Sequence, residues 1–274
     1  MPDTLTIQDL YIYPIKSLAG IRLSEAKVEE RGFELDRRWM LIDKEGKFLS
    51  QRTFPMMAML KVELGKDFLS VYHVSYPSKL IQIPFEEEGE EVSSVTVWDD
   101  EMSARLVNPE VDQWFSQMLE MKVRLVKMPL STERKVDSKY AVNDESVSFA
   151  DGMPYLLIGQ ESLNDLNGRL VNSVPMNRFR PTFVFTGGAA FDEDNWKTIK
   201  IGEVLFYGTE PCGRCNVTTI DQNTAQTNQE PLRTLSMYRK EGSKVKFGMN
   251  LIGLSTGTVQ VGDKIAVMEA NSSI

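Results

Sequence analysis

Two cysteines, Cys212 and Cys215, are the only thiols in this 274-residue chain, and they stand together in TEPCGRCNVTTID with Arg214 between them. That spacing can serve several chemistries. A dithiol redox pair needs its first sulfur at a helix N-terminus, where the dipole and free N–H groups favour the thiolate. The following NVTTID carries four β-branched residues in six positions and predicts a strand, so that helix is missing. A structural zinc site needs four ligands. The chain offers one histidine, His73, far away in SVYHVSY, where a packed or half-exposed strand residue is the simpler reading. Only carboxylates or a second subunit could complete such a site. Two buried thiols packing as small hydrophobes are a further alternative. Against it stand Pro211 and Gly213, which bend the backbone, and Arg214, which stabilises a thiolate. One thiolate on a soft metal, with an anion held beside it, therefore stays open; the metal would have to arrive with ligands of its own.

The elements that must position this turn are mostly strands. LTIQDLYIYPIKS is rich in β-formers and ends at Pro14, and DRRWMLIDKEGKFLSQR predicts two strands around the turn DKEG. DFLSVYHV, LIQIP, VSSVTVWD and KVRLVKM read as further strands. The clearest helix of this half is NPEVDQWFSQMLE, with Asn108 as N-cap and Pro109 in the first helical position. Its Val111, Trp114, Phe115, Met118 and Leu119 form one apolar face, which is core packing. Apolar density drops over PLSTERKVDSKYAVNDES, a linker by composition. Beyond it, FADGMPYLLIG, RPTFVFTG, TIKIGEVLFYG and GTVQVGDKIAVM read as strands, with short helices at QESLNDLNGRL and EPLRTLSMYRK. Short mixed strands with few helices predict a mainly β fold with helical insertions (α+β), built as two β-barrel-like domains rather than a doubly wound parallel sheet.

The net charge of −8 and pI near 5.0 argue against nucleic-acid or anionic-membrane partners. Five glutamates in FEEEGEEV read as a solvated loop. Against this acidic background, a few arginines and lysines at sharp turns would focus positive potential in one cleft. No apolar run approaches the roughly 18 residues of a membrane span. The N-terminus has neither a signal-peptide pattern nor the Arg-rich character of a transit peptide, so the cytoplasm is the expected compartment.

YIYPIKSLAG near the start and PCGRCNVTTID near the end resemble the paired motifs of MOSC proteins, with DRRWML, FADGMPY, FRPTFV and VGDKI in the expected order. The resemblance covers nearly the whole chain. It is strongest to the branch typified by the mitochondrial amidoxime-reducing component and bacterial reductases of N-hydroxylated compounds. It implies an N-terminal MOSC β-barrel domain over residues 1–128 and a MOSC domain, a pyruvate-kinase-type β-barrel-like fold, over residues 129–274. The implied cofactor is molybdenum held by molybdopterin, whose dithiolene supplies two sulfurs while one protein cysteine completes the set. By motif position that metal ligand and catalytic residue is Cys215, and Asp151 is a second catalytic residue that orients the site. Cys212 then needs no metal role. The implied cofactor-binding residues are Lys16, Ser17, Arg37, Gly152, Met153, Arg180, Thr182, Gly213, Arg214 and Asn250. Arginine suits bidentate contacts to phosphate, and lysine acts as a point charge. Arg180 is preferred over Arg178, two residues earlier. Gly152, Met153, Gly213 and Asn250 depart from the animal proteins, which carry hydroxyl-bearing residues there.

The resemblance implies an oxidoreductase that reduces amidoximes, hydroxylamines or N-hydroxylated bases. No G-x-G-x-x-G is present for direct NADH binding, and the four further cysteines of a plant-type iron–sulfur domain are absent. Electrons are thus expected from a separate flavoprotein, ferredoxin-like or cytochrome b5-like protein. The other implied class is a molybdenum-cofactor-binding or sulfur-carrier protein, related to the C-terminal region of molybdenum cofactor sulfurases. Pyridoxal phosphate is associated with that group at family level, although this chain shows no domain for it.

Overall fold

The computed structural model describes residues 4–86 and 89–271. Glu87 and Glu88 of the acidic run lie outside the described residues. The protein is mainly β, with three α-helices among the described residues. A nine-stranded sheet dominates. Its strands run in the order Ile265–Ala270, Trp196–Ile201, Val204–Arg214, Lys244–Gly253, Tyr155–Gly159, Phe183–Thr186, Thr6–Ile12 and Ile21–Leu23, and Lys240–Glu241 pairs beside Lys244–Gly253. The pair Tyr155–Gly159 and Phe183–Thr186 is parallel, and the helix Gln160–Arg169 lies on the connection between them. A four-stranded sheet holds Trp39–Ile42, Arg124–Lys127, Asp100–Leu106 and Val92–Val97. Two three-stranded sheets complete the fold.

The start of the chain is woven into its second half. Thr6–Ile12 pairs with Phe183–Thr186, and Glu25–Glu29 pairs with Gly257–Gln260. One core accordingly joins Ile7, Leu10 and Phe33 to Tyr155, Phe183, Phe206 and Leu251. The Phe33 ring meets Tyr155 at 5.1 Å and Phe183 at 4.9 Å, edge-on in both cases. A second core, around Trp39, Leu41, Val71 and Leu125, takes the buried face of the helix Pro109–Leu119 through Val111 and Phe115. Asn108 caps that helix as its sequence predicts: its Oδ1 accepts from the Val111 amide at 2.8 Å.

Two expected strands take other forms. The second arm expected after DKEG makes only single bridges, Phe48 to Ile42 and Lys47 to Thr96. Asp43 closes the turn with its side chain, Oδ1 accepting from the amides of Glu45 and Lys47, so a continued ladder is not needed. NVTTID is not a strand. Asn216–Thr219 is a 3-10 turn with Cys215 as its N-cap. Thr218 Oγ1 donates to Cys215 O at 3.0 Å and Thr219 Oγ1 to Asn216 O at 2.7 Å, and this back-bonding holds β-branched residues in a helical turn. Four residues of 3-10 turn are still far short of the helix that a thioredoxin-type thiol uses.

His73 ends the strand Phe68–His73, is 7% exposed, and accepts from the Ser75 amide through Nδ1 at 3.1 Å. No described helix is long and apolar enough to cross a membrane.

Candidate functional site

Strand Val204–Arg214 runs to the edge of a cavity of about 450 Å³ and delivers Cys212, Gly213 and Arg214 to its wall. Cys215 follows at the strand end, exposed, where the chain turns into the 3-10 turn. Opposite elements bring Lys16 and Ser17 from the turn after Thr6–Ile12, Arg37 from the segment before Trp39–Ile42, and Asp151, Gly152 and Met153 from the loop before Tyr155–Gly159. Arg180 and Thr182 precede Phe183–Thr186, and Asn250 lies within Lys244–Gly253. Every site residue expected from the motifs thus lines this one cavity. Arg178 does not; it is buried and pairs with Asp221 at 2.7 Å.

Sequence reasoning missed Gln51, Arg52, Glu210 and Lys244, which share the wall. Gln51 and Gln222 exchange amide hydrogen bonds at 3.1 and 2.9 Å, and Gln51 also donates to Ser17 O at 2.8 Å. No sequence pattern announces a pair 171 positions apart. Glu210 accepts from Lys244 Nζ at 3.3 Å. Its position directly before Pro211-Cys212 was the available signal.

The lining is strongly basic for an acidic protein. Lys16, Arg37, Arg52, Arg180, Arg214 and Lys244 face only two carboxylates, Asp151 and Glu210. Such a wall in a low-dielectric recess focuses positive potential and favours an anionic ligand.

Backbone strain concentrates in the same place. Ser17 (φ 69°), Arg37 (φ 49°) and Arg180 (φ 54°) all adopt the left-handed conformation, at about 1–2 kcal/mol each for an L-residue. Non-glycine residues held there mark positions where geometry outweighs local comfort. The guanidinium groups of Arg37 and Arg180 lie 4.4 and 4.2 Å from the centre of the buried Tyr13 ring. Arg180 Nη1 donates to Leu18 O at 2.7 Å, and Arg37 Nη1 donates to the fully buried Asp36 at 2.5 Å. Burial pulls the Arg180 pKa down to about 10, so it remains a cation at neutral pH.

Lys16 is 4% exposed; its Nζ donates to Asp151 Oδ1 at 2.6 Å and to Phe149 O at 2.7 Å. Burial pushes its pKa down to about 8, against the pull of Asp151. Asp151 also accepts from Arg52 Nη2 at 2.9 Å. Desolvation by the recess walls favours the neutral acid, but the charges of Lys16 and Arg52 outweigh it and hold this 59% exposed side chain well below the usual carboxylate range.

Arg214 is clamped at one end only. Its Nη1 donates to Cys212 Sγ at 3.2 Å and its Nη2 to Phe179 O at 2.6 Å, while its buried Nε has no partner among the described residues. A buried donor left open is costly unless something else fills it. Cys212 therefore acts on the arginine, and Cys215 is the more exposed residue of the two. Thr182 is engaged otherwise: its hydroxyl accepts from Leu156 N at 2.8 Å and donates to Leu156 O at 3.1 Å. A side chain at Gly152 would meet open space, and one at Gly213 would touch Lys244 at 3.1 Å. Among the described residues no three His, Cys, Asp or Glu side chains gather to hold a metal ion.

The chain is similar to known proteins. Residues 4–122 match the MOSC N-terminal beta barrel domain, and residues 144–266 match the MOSC domain. Mitochondrial amidoxime-reducing component 1 of Mus musculus is 30% identical, with 96% of this chain and 82% of that protein covered. Mitochondrial amidoxime reducing component 2 of Rattus norvegicus is also 30% identical, over 95% of this chain and 82% of that protein. Molybdenum cofactor sulfurase of Oryza sativa subsp. japonica is 29% identical over 89% of this chain, which spans 32% of that protein.

Proposed function

The chain belongs to the MOSC family, alongside the amidoxime-reducing components, and from that premise we propose that it is a molybdenum-cofactor-dependent oxidoreductase reducing N-hydroxylated compounds. The substrates in this reading are amidoximes, hydroxylamines or N-hydroxylated bases. The electrons come from a separate flavoprotein, ferredoxin-like or cytochrome b5-like protein, and the compartment is the cytoplasm.

The observation that carries the reading is exposed Cys215 next in sequence to Arg214, whose buried Nε is open, inside a recess lined by Lys16, Arg37 and Arg180. A phosphate-bearing metal–pterin group fits this donor set. It needs one soft ligand from the protein and an anion-binding wall, and a recess of about 450 Å³ is within the usual range for ligand sites. Cys215 would give the protein sulfur; Lys16, Ser17, Arg37, Arg180 and Arg214 would hold the phosphate and the polar ring edges. When bound there, the group supplies a two-electron centre able to take oxygen from an N–OH function.

The chain's own residues have distinct tasks. The left-handed turns at Ser17, Arg37 and Arg180 fix three binding groups before any ligand arrives, which reduces the ordering cost of binding. Asp151 stays ionised and keeps a proton on Lys16 Nζ up to about pH 8, so the wall carries a proton at that atom during turnover. Arg52, on the other carboxylate oxygen, keeps Asp151 directed at Lys16.

A second reading, a cofactor-binding or sulfur-carrier protein without reductase activity, draws on the likeness to the rice sulfurase and on the contact between Arg214 and Cys212. Reduction of benzamidoxime by molybdenum-loaded protein with reduced viologen dye separates the two. The expected result is benzamidine formation that depends on the dye and is absent with NADH alone. Bound cofactor with no N–O cleavage across several substrates would favour the carrier.

A further inference from the structure

Four successive carbonyl oxygens, from Ser148 to Asp151, are each taken by one of two buried cations, Arg134 and Lys16. Arg134 Nη1 donates to Ser148 O at 2.9 Å and to Ala150 O at 2.5 Å, and its Nη2 donates to Asp151 O at 3.0 Å. Lys16 Nζ takes Phe149 O. The segment belongs to no helix or strand, so these contacts substitute for a ladder. Arg134 is 6% exposed, and its Nε reaches Asp100 Oδ2 at 2.8 Å. A buried guanidinium is tolerated when its nitrogens find acceptors, and each of the three nitrogens here has at least one.

Asp100 begins the strand after a two-residue turn, Trp98–Asp99, that closes the hairpin Val92–Leu106. Trp98 holds the left-handed conformation (φ 58°), which suits Gly or Asn far better than a bulky residue. Trp98 is 47% exposed, so burial alone does not explain the residue. Its ring carries the Arg52 guanidinium at 4.3 Å and packs on Phe48 at 5.2 Å. Arg52 in turn binds the Asp151 carboxylate. The hairpin tip therefore reaches Asp151 by two arms: Trp98 through Arg52 to the side chain, and Asp100 through Arg134 to the backbone.

We propose that the hairpin tip Trp98–Asp100 is a positioning element for Asp151, acting through Arg52 on its carboxylate and through Arg134 on the backbone of Ser148–Asp151. The Asp151 role rests on the function proposed above; the mechanical link does not. Trp98→Gly tests one arm, because glycine relieves the turn while removing the stack. Asp100→Asn and Arg134→Lys test the other, since a lysine cannot serve three carbonyls and a carboxylate at once.

Hydrogen exchange is followed in peptides spanning 148–153 and, as internal control, 155–159, together with thermal unfolding and steady-state kinetics of the full chain. In Arg134→Lys and Asp100→Asn, exchange over 148–153 is expected to accelerate by roughly tenfold while 155–159 stays unchanged. In Trp98→Gly, the unfolding midpoint should hold or rise, and kcat should fall on the order of tenfold with KM nearly constant. Unaltered exchange over 148–153, or equal acceleration in both peptides, overturns the backbone arm. An unaltered kcat in Trp98→Gly overturns the side-chain arm. A wild-type protein with no N–O cleavage would remove the proposed reaction, and hydrogen exchange alone would then decide whether the clamp exists.

Discussion

Lys16 and Asp151, 135 positions apart, meet at 2.6 Å in the recess, the lysine almost wholly buried and the carboxylate 59% exposed. The exposed partner stays ionised while the buried one is the group that titrates. Burial lowers the Lys16 pKa to about 8, and Asp151 opposes that fall. Below about pH 8 the ammonium is present to hold an anion and carry a proton; above it both are lost. The expected profile of kcat/KM has a one-proton falling limb near pH 8. In Asp151→Asn the opposing charge is gone, so the limb should move to lower pH. Rates measured across about pH 6–10 decide this, since that range covers a single titration on both sides. A limb that stays in place in the variant would show that Lys16 is not its source.

The two cysteines should separate cleanly. Cys215 is the exposed cysteine lining the recess, whereas Cys212 accepts a hydrogen bond from Arg214. Cys215→Ala is expected to purify folded but without molybdenum. Cys212→Ala should retain the metal at reduced occupancy, because Arg214 loses one of its two anchors. Cys212→Ser restores an acceptor and should recover occupancy. Metal and pterin analysis of protein made in cofactor-replete cells reads all three, and equal metal content in Cys215→Ala and wild type would refute the ligand assignment.

Much of this recess was legible only through the motifs YIYPIKS, DRRWML, FRPTFV and PCGRC and the family resemblance they carry, because a lysine after a proline turn is otherwise unremarkable surface. The mainly β architecture was legible more directly, since β-rich runs, turn residues and the Asn108 cap are local signals. What escaped was long-range. Arg134 lies in a stretch whose low apolar density reads as linker, yet it organises the loop that carries Asp151. Arg52 follows a strand arm that forms only bridges, and its importance comes from Trp98 and Asp151, far away in sequence. NVTTID misled because β-branched residues favour strands on average, while two threonine hydroxyls folded back on the turn here.

Ser17 offers a test of stability against binding. Its backbone is left-handed, a conformation that costs about 1–2 kcal/mol for serine and nothing steric for glycine, though glycine loses about 0.5–1 kcal/mol more chain entropy on folding. Gln51 binds the Ser17 carbonyl, which the substitution keeps. Ser17→Gly should therefore unfold at the same denaturant midpoint or slightly higher, yet retain less cofactor, because only the hydroxyl is removed from the wall. Loss of stability together with loss of cofactor would mean that the hydroxyl serves the fold instead.

Glu193 lies outside the recess and governs a different pH dependence. Fully buried, it accepts from Gly159 N at 3.1 Å and from Ser162 Oγ at 2.8 Å, and so caps the helix Gln160–Arg169, whose own N-cap is a glycine. Burial raises its pKa to about 7, and the hydrogen bonds it accepts only partly offset that. The ordinary value is 4.5, so between about pH 4.5 and 7 the folded state holds more protons than the unfolded one. Stability contributed by this group is then greatest at the acid end and declines as pH rises, by about 3 kcal/mol across the window. Glu193→Gln cannot ionise, and its amide oxygen can still accept from Gly159 N. Urea unfolding at about pH 5 and about pH 8, either side of that window, should therefore show a smaller decline in the variant than in the wild type, with the variant the more stable of the two at the higher pH. Equal declines in both proteins would mean that Glu193 is ionised throughout, and that its burial is supported by contacts stronger than those of Gly159 and Ser162.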